Sequence, residues 1–202
     1  MKYFAAFFFL LITGIVQAQF PSELWHEGKV VLLQGDTLKG AIKYDLERDI
    51  IQLNDAKTIE AYSARKVLYF NLFDETVNRY RQFYAIPYQV TIDYKTPVLF
   101  EVLYEGKLTL LAREYIMLET SNFSPSFSSS SFSRPVLRYN FYFLDATGNI
   151  LFYGGNKKEL LAYMKKYDNE MTEYIKRNRL HYNDKNDIIQ IVKYYNQLIN
   201  PK

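Results

Sequence analysis

Between residues 28 and 153 short runs of β-branched and aromatic side chains alternate with polar positions and are separated by short turn signals. A period of two is typical of strands that bury one face. The pattern predicts five hairpins, and their strand pairs are 30–34 with 37–44, 50–53 with 56–61, 66–73 with 79–84, 97–104 with 107–117, and 137–144 with 150–153. Neighbouring hairpins of this kind indicate an antiparallel sheet.

The first hairpin carries the clearest turn signal. Gly35 and Asp36 stand between its two strands, and glycine permits the positive φ that tight hairpin turns require. A two-residue turn at this point predicts that Leu33 lies opposite Leu38, so that both side chains share one apolar face.

After residue 155 the period of the pattern changes from 2 to 3.6, which is typical of helices. Asn156 followed by Glu159 resembles an N-capping arrangement, and a last helix is predicted from about residue 184 to 199, capped by Asn183 or Asp184. Because Asp168 and the residue after it are poor helix formers, two helices are expected before that one rather than a single long helix.

Strands followed by helices predict the α+β class. We expect an antiparallel β domain over residues 19–155, curled toward a sandwich or an open barrel. A helical segment of two or three helices over residues 156–202 is expected to pack on one face or edge of the sheet.

The N-terminus has the three regions of a secretory signal peptide. Lys2 precedes an apolar run over residues 3–16, and Gln17 and Ala18 follow it. The run is shorter than the roughly 20 residues that span a bilayer, which favours a cleaved signal over an uncleaved anchor. The sequence therefore predicts cleavage near Ala18, a periplasmic or secreted protein, and no transmembrane span after cleavage.

A serine-rich stretch interrupts the predicted sheet. Residues 121–135 include eight serines and the spaced aromatic residues Phe123, Phe127 and Phe132. A flexible loop over residues 119–135 is expected, because such a composition buries too little apolar area to order itself. It either links two strands of one sheet or presents the three phenylalanines as a docking strip for a partner.

Charge and composition exclude several classes of function. The chain has 25 Lys and Arg against 22 Asp and Glu without a concentrated basic face, which disfavours nucleic-acid binding. No cysteine is present, so disulfides and thiolate metal sites are excluded. His26 and His181 are isolated in sequence, and neither a nucleophile elbow nor a phosphate-binding glycine pattern occurs. No metal and no cofactor is expected.

Carboxylates are the remaining candidates for catalysis. Glu101 lies on the same predicted strand face as two leucines, so burial would raise its pKa unless an arginine pairs with it. The arginines that could do so are Arg79, Arg81 and Arg113. A two-residue loop at residues 105–106 would place Glu101 opposite Leu110. With one more residue in the loop, the register would shift and Arg113 would lie on the same sheet face as Glu101. Asp93 and Glu114 are possible second carboxylates for glycoside cleavage. An arginine-paired or solvent-facing Glu101 without catalytic function is the competing interpretation.

Binding candidates are aromatic and basic. Tyrosines at strand positions could stack on sugars, although tyrosine is also frequent in strands because it packs well across a pleat. The candidate ligand-binding residues are Trp25, His26, Tyr84, Tyr88, Tyr94, Arg79, Arg81 and Arg113.

Two motifs carry a resemblance to a known group of proteins. Residues 35–40 read Gly-Asp-Thr-Leu-Lys-Gly, and residues 174–180 read Tyr-Ile-Lys-Arg-Asn-Arg-Leu, followed by Tyr-Tyr-Asn at residues 194–196. In these motifs the chain resembles a family of uncharacterised secreted or periplasmic proteins of Bacteroidota-type bacteria. The resemblance supports the fold and the export signal, and it implies no catalytic residue.

These observations favour an exported, non-catalytic binding protein of the cell envelope, with an envelope protein or a glycan as partner. A carboxylate-based hydrolase acting on a glycan is the first alternative. An assembly or signalling accessory that docks through the serine- and phenylalanine-rich loop is the second.

Overall fold

The computed structural model describes residues 19–91, 93–121 and 132–200. The predicted signal peptide and residues 122–131 lie outside this part. The described residues form one antiparallel sheet of ten strands in the order β10-β9-β8-β7-β6-β5-β1-β2-β3-β4, followed by three helices, which confirms the predicted α+β class. The strands are β1 His26–Leu32, β2 Thr37–Asp45, β3 Ile50–Asn54, β4 Ile59–Ser63, β5 Val67–Asp74, β6 Arg79–Thr91, β7 Tyr94–Tyr104, β8 Thr109–Ser121, β9 Phe132–Leu144 and β10 Ile150–Tyr153.

The first hairpin has a longer loop than predicted. The Leu32 N–H donates to the Asp36 carbonyl and the Gly35 N–H donates to the Leu32 carbonyl, so the strands end at Leu32 and Thr37. Gly35 has the expected positive φ, +100°. Val30 rather than Leu33 lies opposite Leu38, and Leu33 is 60% exposed. The predicted pairing of Leu33 with Leu38 is therefore wrong, because the turn encloses the three residues between Leu32 and Asp36 instead of two.

The sheet curls until β2 and β3 lie against β5 and β6. The ring of Tyr44 on β2 is 5.1 Å from the ring of Phe83 on β6, and Phe83 stacks on Phe70 of β5 at 4.5 Å. We call the apolar interior of this curl the curl core. Its members are Val30, Leu32, Ile42, Tyr44, Leu46, Ile51, Leu53, Ala64, Val67, Phe70, Leu72, Phe83 and Leu99.

The helices are α1 Lys157–Tyr163, α2 Asp168–Arg177 and α3 Lys185–Ile199. The capping predictions are confirmed, since the Asn156 side chain accepts from the Glu159 N–H and the Asp184 side chain caps α3. The break before α2 spans a short 3-10 turn, Lys165–Tyr167, and lies just before Asp168. Among the described residues, no helix has the length and apolar character needed to cross a membrane.

The three helices cover the last three strands and enclose a second apolar cluster, the helix core. Its members are Leu108, Leu110, Ala112, Phe141, Phe143, Tyr153, Leu160, Met164, Met171, Ile175, Ile188, Ile191 and Val192. The sheet thus buries one of its faces twice, once by curling on itself and once under helices.

The sheet splits between β7 and β8. Within the described residues, β7 pairs with β8 only near its end, and Glu101 opposite Ala112 is the last pair before the two strands separate. Beyond this point β8 continues to pair with β9 alone, as far as Ser121 opposite Phe132. We call this two-stranded extension, over residues 113–121 and 132–140, the β8–β9 arm. Its strands extend further into the stretch 119–135 than the predicted flexible loop allowed.

Candidate functional site

A buried ion network lies where the curl core meets the helix core. Arg81 on β6 is 4% exposed, and its guanidinium donates to three carboxylates. The distances are 3.0 Å to Asp74 on β5, 2.8 Å to Glu101 on β7 and 2.7 Å to Glu114 on β8. The Tyr44 hydroxyl accepts from Arg81 and donates to Glu114, both at 2.6 Å. We call this group the Arg81 network.

Two further cations complete the network at Glu101. Lys185, the first residue of α3, has its Nζ 3.1 Å from Glu101 Oε2, and its ammonium lies 4.2 Å from the centre of the Tyr139 ring. Arg79 approaches Glu101 at 3.5 Å from a half-exposed position. Three cationic side chains therefore meet three carboxylates, and the cluster compensates its own charge. Buried ionic groups persist in proteins when they are paired in this way.

The pKa of Glu101 follows from this arrangement. Burial would raise it, but the charge and hydrogen bonds of Arg81, together with Lys185, hold the pKa below its ordinary value. In the same way, burial opposes ionisation of Asp74, and hydrogen bonds from Thr76 and Arg81 outweigh it and lower the pKa. Burial raises the pKa of Tyr44 well above its ordinary value, so this hydroxyl keeps its proton. Glu101 and Asp74 are carboxylates near neutral pH and not proton donors.

The structure brings together two of the three candidate catalytic carboxylates. Glu101 and Glu114 lie on the same sheet face and accept from the same Arg81 nitrogen, whereas Asp93 lies in the turn between β6 and β7. Glu101 faces Ala112 and not Leu110. The turn between β7 and β8 is longer than two residues, since Tyr104 pairs with Leu110, and a bulge between Val102 and Tyr104 adds a further shift of the register. The Arg81 guanidinium fills the space between the two glutamates, which is where a glycosidase would hold the scissile bond.

Arg113 lies in the split of the sheet and not beside Glu101. Its guanidinium donates to the Leu99 carbonyl of β7 at 2.9 Å, to the Leu46 carbonyl, and to the Asp49 carboxylate at 2.7 Å. Asp49 also accepts from the Leu99 N–H at 2.8 Å. The β2–β3 turn is therefore wedged between β7 and β8, and two side chains replace the strand pairing lost there.

An open groove lies next to the Arg81 network, between the end of β2 and the β8–β9 arm. Its volume is about 520 Å³. One wall is apolar and is formed by Tyr115, Ile116 and Leu137. The other is polar, and Tyr44 and Glu114 connect the groove to the network. The polar wall includes Ser22, Glu23, Lys43, Asp45, Glu47, Arg48 and Gln52.

None of the eight predicted ligand-binding residues lines this groove. His26 is buried and its Nε2 lies 2.7 Å from the Pro21 carbonyl, while Trp25 beside it is 42% exposed. Tyr84 packs on Tyr69, and Tyr94 accepts from Arg65.

Tyr88 contacts the rings of Phe100 and Tyr142 on the sheet face opposite the helices. Phe123 and Phe127 lie outside the described residues, and Phe132 is described only as the first residue of β9.

Sequence reasoning missed the groove, and it also missed Asn196. This side chain is buried on the inner face of α3, and it both accepts from the Leu108 N–H and donates to the Leu108 carbonyl. A Cβ on Gly106 would lie 2.4 Å from the Asn196 Oδ1, so the β7–β8 turn and α3 meet closely. The sequence did offer a signal for this contact, because an asparagine on the apolar stripe of a predicted helix needs a hydrogen-bond partner when it is buried.

No protein-family model matches this chain, and neither a curated protein nor a solved structure shows significant similarity to it. Within the described part of the chain, no group of three His, Asp or Glu side chains is arranged to hold a metal ion. The Arg81 network and the groove are therefore the features of the described residues that bear on function.

Proposed function

We propose that this protein is exported to the cell envelope and binds a partner there without catalysis, through the groove beside Glu114. The observation that carries the proposal is the pairing of both buried glutamates with the guanidinium between them. A general acid needs a proton at neutral pH and access to substrate, and Glu101 has neither. The groove in contrast is open and combines an apolar wall with polar side chains, as binding sites do.

The periplasmic or secreted location is part of this proposal. It is supported by the charged, apolar and small-residue regions of residues 1–18 and by the resemblance of the first hairpin and the helical tail to secreted proteins of Bacteroidota-type bacteria. Cell fractionation and N-terminal sequencing of the exported form test it. An intact Met1 in a cytoplasmic fraction would contradict it.

Filling the groove tests the binding function. Gln52 lies in the polar wall with an exposed side chain, so Gln52→Trp should obstruct the groove and leave the fold intact. Lys57→Trp, in the exposed turn after β3, is the matched control. Affinity capture from an envelope extract, separated into protein and glycan fractions, should lose its specific component with Gln52→Trp and keep it with Lys57→Trp. Equal capture by both variants argues against the groove as the binding site.

The hydrolase alternative makes the opposite prediction at Glu101. If Glu101 were a catalytic acid, Glu101→Gln would abolish glycan turnover and leave the melting temperature nearly unchanged. In the Arg81 network this substitution removes one of three compensating negative charges, and we expect a loss of about 3 kcal/mol of stability. Thermal unfolding, with a reducing-sugar assay on envelope glycans, distinguishes the two. Turnover by the wild-type protein that the variant lacks would favour the hydrolase.

A further inference from the structure

The β8–β9 arm exposes apolar side chains on both of its faces. Four consecutive residues of β8 are exposed by 38% to 69%, namely Tyr115, Ile116, Met117 and Leu118. Two-stranded ribbons have little stability of their own in water, and soluble proteins seldom leave such a run uncovered. The exposed apolar run of the arm therefore indicates a surface that a partner covers.

The outer edge of β8 is open along the same residues. Among the described strands, β7 leaves β8 after Ala112, while β9 pairs with the other edge of β8 as far as Ser121. An edge strand with unpaired backbone groups is a template for another strand. The open edge and the exposed apolar run coincide, so a strand added here would cover both.

The sequence of this edge is suited to pairing with itself. A two-fold axis at Met117 places Met117 opposite its copy and Ile116 opposite Leu118 of the second chain. In antiparallel pairs directly opposed side chains share a face. Two isoleucines and two leucines then form one apolar cluster.

The charges are also compatible with this register. Glu119 falls opposite Tyr115 of the second chain, so no two like charges are directly opposed. Its carboxylate is neutralised within its own arm by Arg138 and Arg134 of β9. A two-fold arrangement closes on itself and needs no second kind of partner.

We propose that two copies of this chain associate through β8, antiparallel and centred on Met117, to give a continuous sheet β9-β8-β8-β9 across the two chains. The two-fold axis of such a pair is perpendicular to the sheet, so both copies present the same face on the same side. Ile116 lines the groove, and Leu118 of the second copy extends its apolar wall. The grooves of the two chains open side by side.

A single introduced cysteine tests the register, because the chain has none of its own. At a directly opposed pair the Cα atoms are about 4.5–5.5 Å apart, a distance that a disulfide spans. Met117→Cys should therefore give a covalently linked dimer under mild oxidation of the purified full-length exported protein. Thr120→Cys is the matched control, since two copies of residue 120 would be separated by about 20 Å along the strands and should not link.

A charge at the centre tests the interface without oxidation. Leu118→Lys places two ammonium groups next to the two-fold axis, and Leu33→Lys, on a leucine of the first hairpin that is also more than half exposed, is the control. Sedimentation velocity across a concentration series should show a dimer for the wild type and Leu33→Lys and a monomer for Leu118→Lys, with unchanged circular dichroism. A wild-type monomer at all concentrations, a dimer that survives Leu118→Lys, or equal linking of the two cysteine variants overturns the proposal.

Discussion

The curl core and the helix core bury the same face of one sheet by different means. Along β7, Leu99 belongs to the curl core, Glu101 to the Arg81 network and Leu103 packs against the helix core, although all three alternate on one face. Charged residues occupy the boundary, where strands from the curl and helix α3 converge. The comparison shows that a long curled sheet can change its covering layer if the boundary is filled by side chains that compensate each other's charge.

Removing Arg81 should have the largest effect, because it affects both cores. Arg81→Met leaves three carboxylates at the boundary, and of the cations in the described part of the chain Lys185 and Arg79 remain, both at Glu101. A buried charge that loses its partner costs about 3–5 kcal/mol, and we expect a loss of this size in the free energy of unfolding. Urea unfolding measures it.

Arg48→Met is the control for this prediction. The Arg48 ion pair with Asp45 is exposed, so its loss should cost less than about 1 kcal/mol. Equal stability losses for the two variants would show that the buried network has no special part in joining the cores.

The same substitution, isoleucine to alanine, can be made in each core to compare the two cores directly. Ile51 in the curl core and Ile191 in the helix core are both fully buried, and truncation of either to alanine should cost about 3 kcal/mol. If the Arg81 network couples the cores, each variant lowers hydrogen-exchange protection in both. Increased exchange confined to the helices in Ile191→Ala would instead show that the helix core unfolds on its own.

The attachment of α3 to the sheet should contribute less than the cores themselves. Asn196→Ala removes hydrogen bonds to both backbone groups of Leu108 and leaves them buried, at a cost of about 2 kcal/mol. Asn178→Ala removes a single exposed bond at the end of α2 and should cost less than about 0.5 kcal/mol. Thermal unfolding of both variants checks the difference, and similar melting temperatures would contradict it.

Local features of the fold could be predicted from the sequence. The caps at Asn156 and Asp184 depend on side chains within a few residues of the backbone groups they bind, and the hairpins depend on neighbouring strands. The Arg81 network could not be predicted, since it joins residues as far apart as Tyr44 and Glu114, 70 positions along the chain. Only the curl of the sheet brings them together.

The pairing of Glu101 shows more closely how far prediction from the sequence could go. Sequence reasoning identified arginine pairing as the alternative to a raised pKa. In the structure Arg81 makes the close contact with Glu101 at 2.8 Å, and Arg79 adds a longer one at 3.5 Å. Arg113 is directed into the split between β7 and β8, because the β2–β3 turn occupies that split. Neither the split nor the bulge at Val102 has a signature in the hydrophobic pattern.

Lowering the pH should weaken the Arg81 network and leave the two cores unaffected, because apolar contacts do not titrate. The folded state lowers the pKa of Glu101 and Asp74, so their contribution to stability is complete above the pKa of the unfolded groups, near 4, and is lost as the pH falls through the lower folded values. The slope is at most about 1.4 kcal/mol per pH unit for each carboxyl. Urea unfolding between pH 7 and pH 2 should show stability decreasing below about pH 4, and the decrease should be smaller in Glu101→Gln, which has one titrating group fewer. An identical pH dependence in the variant and the wild type would mean that Glu101 does not carry the ionic link between the two cores.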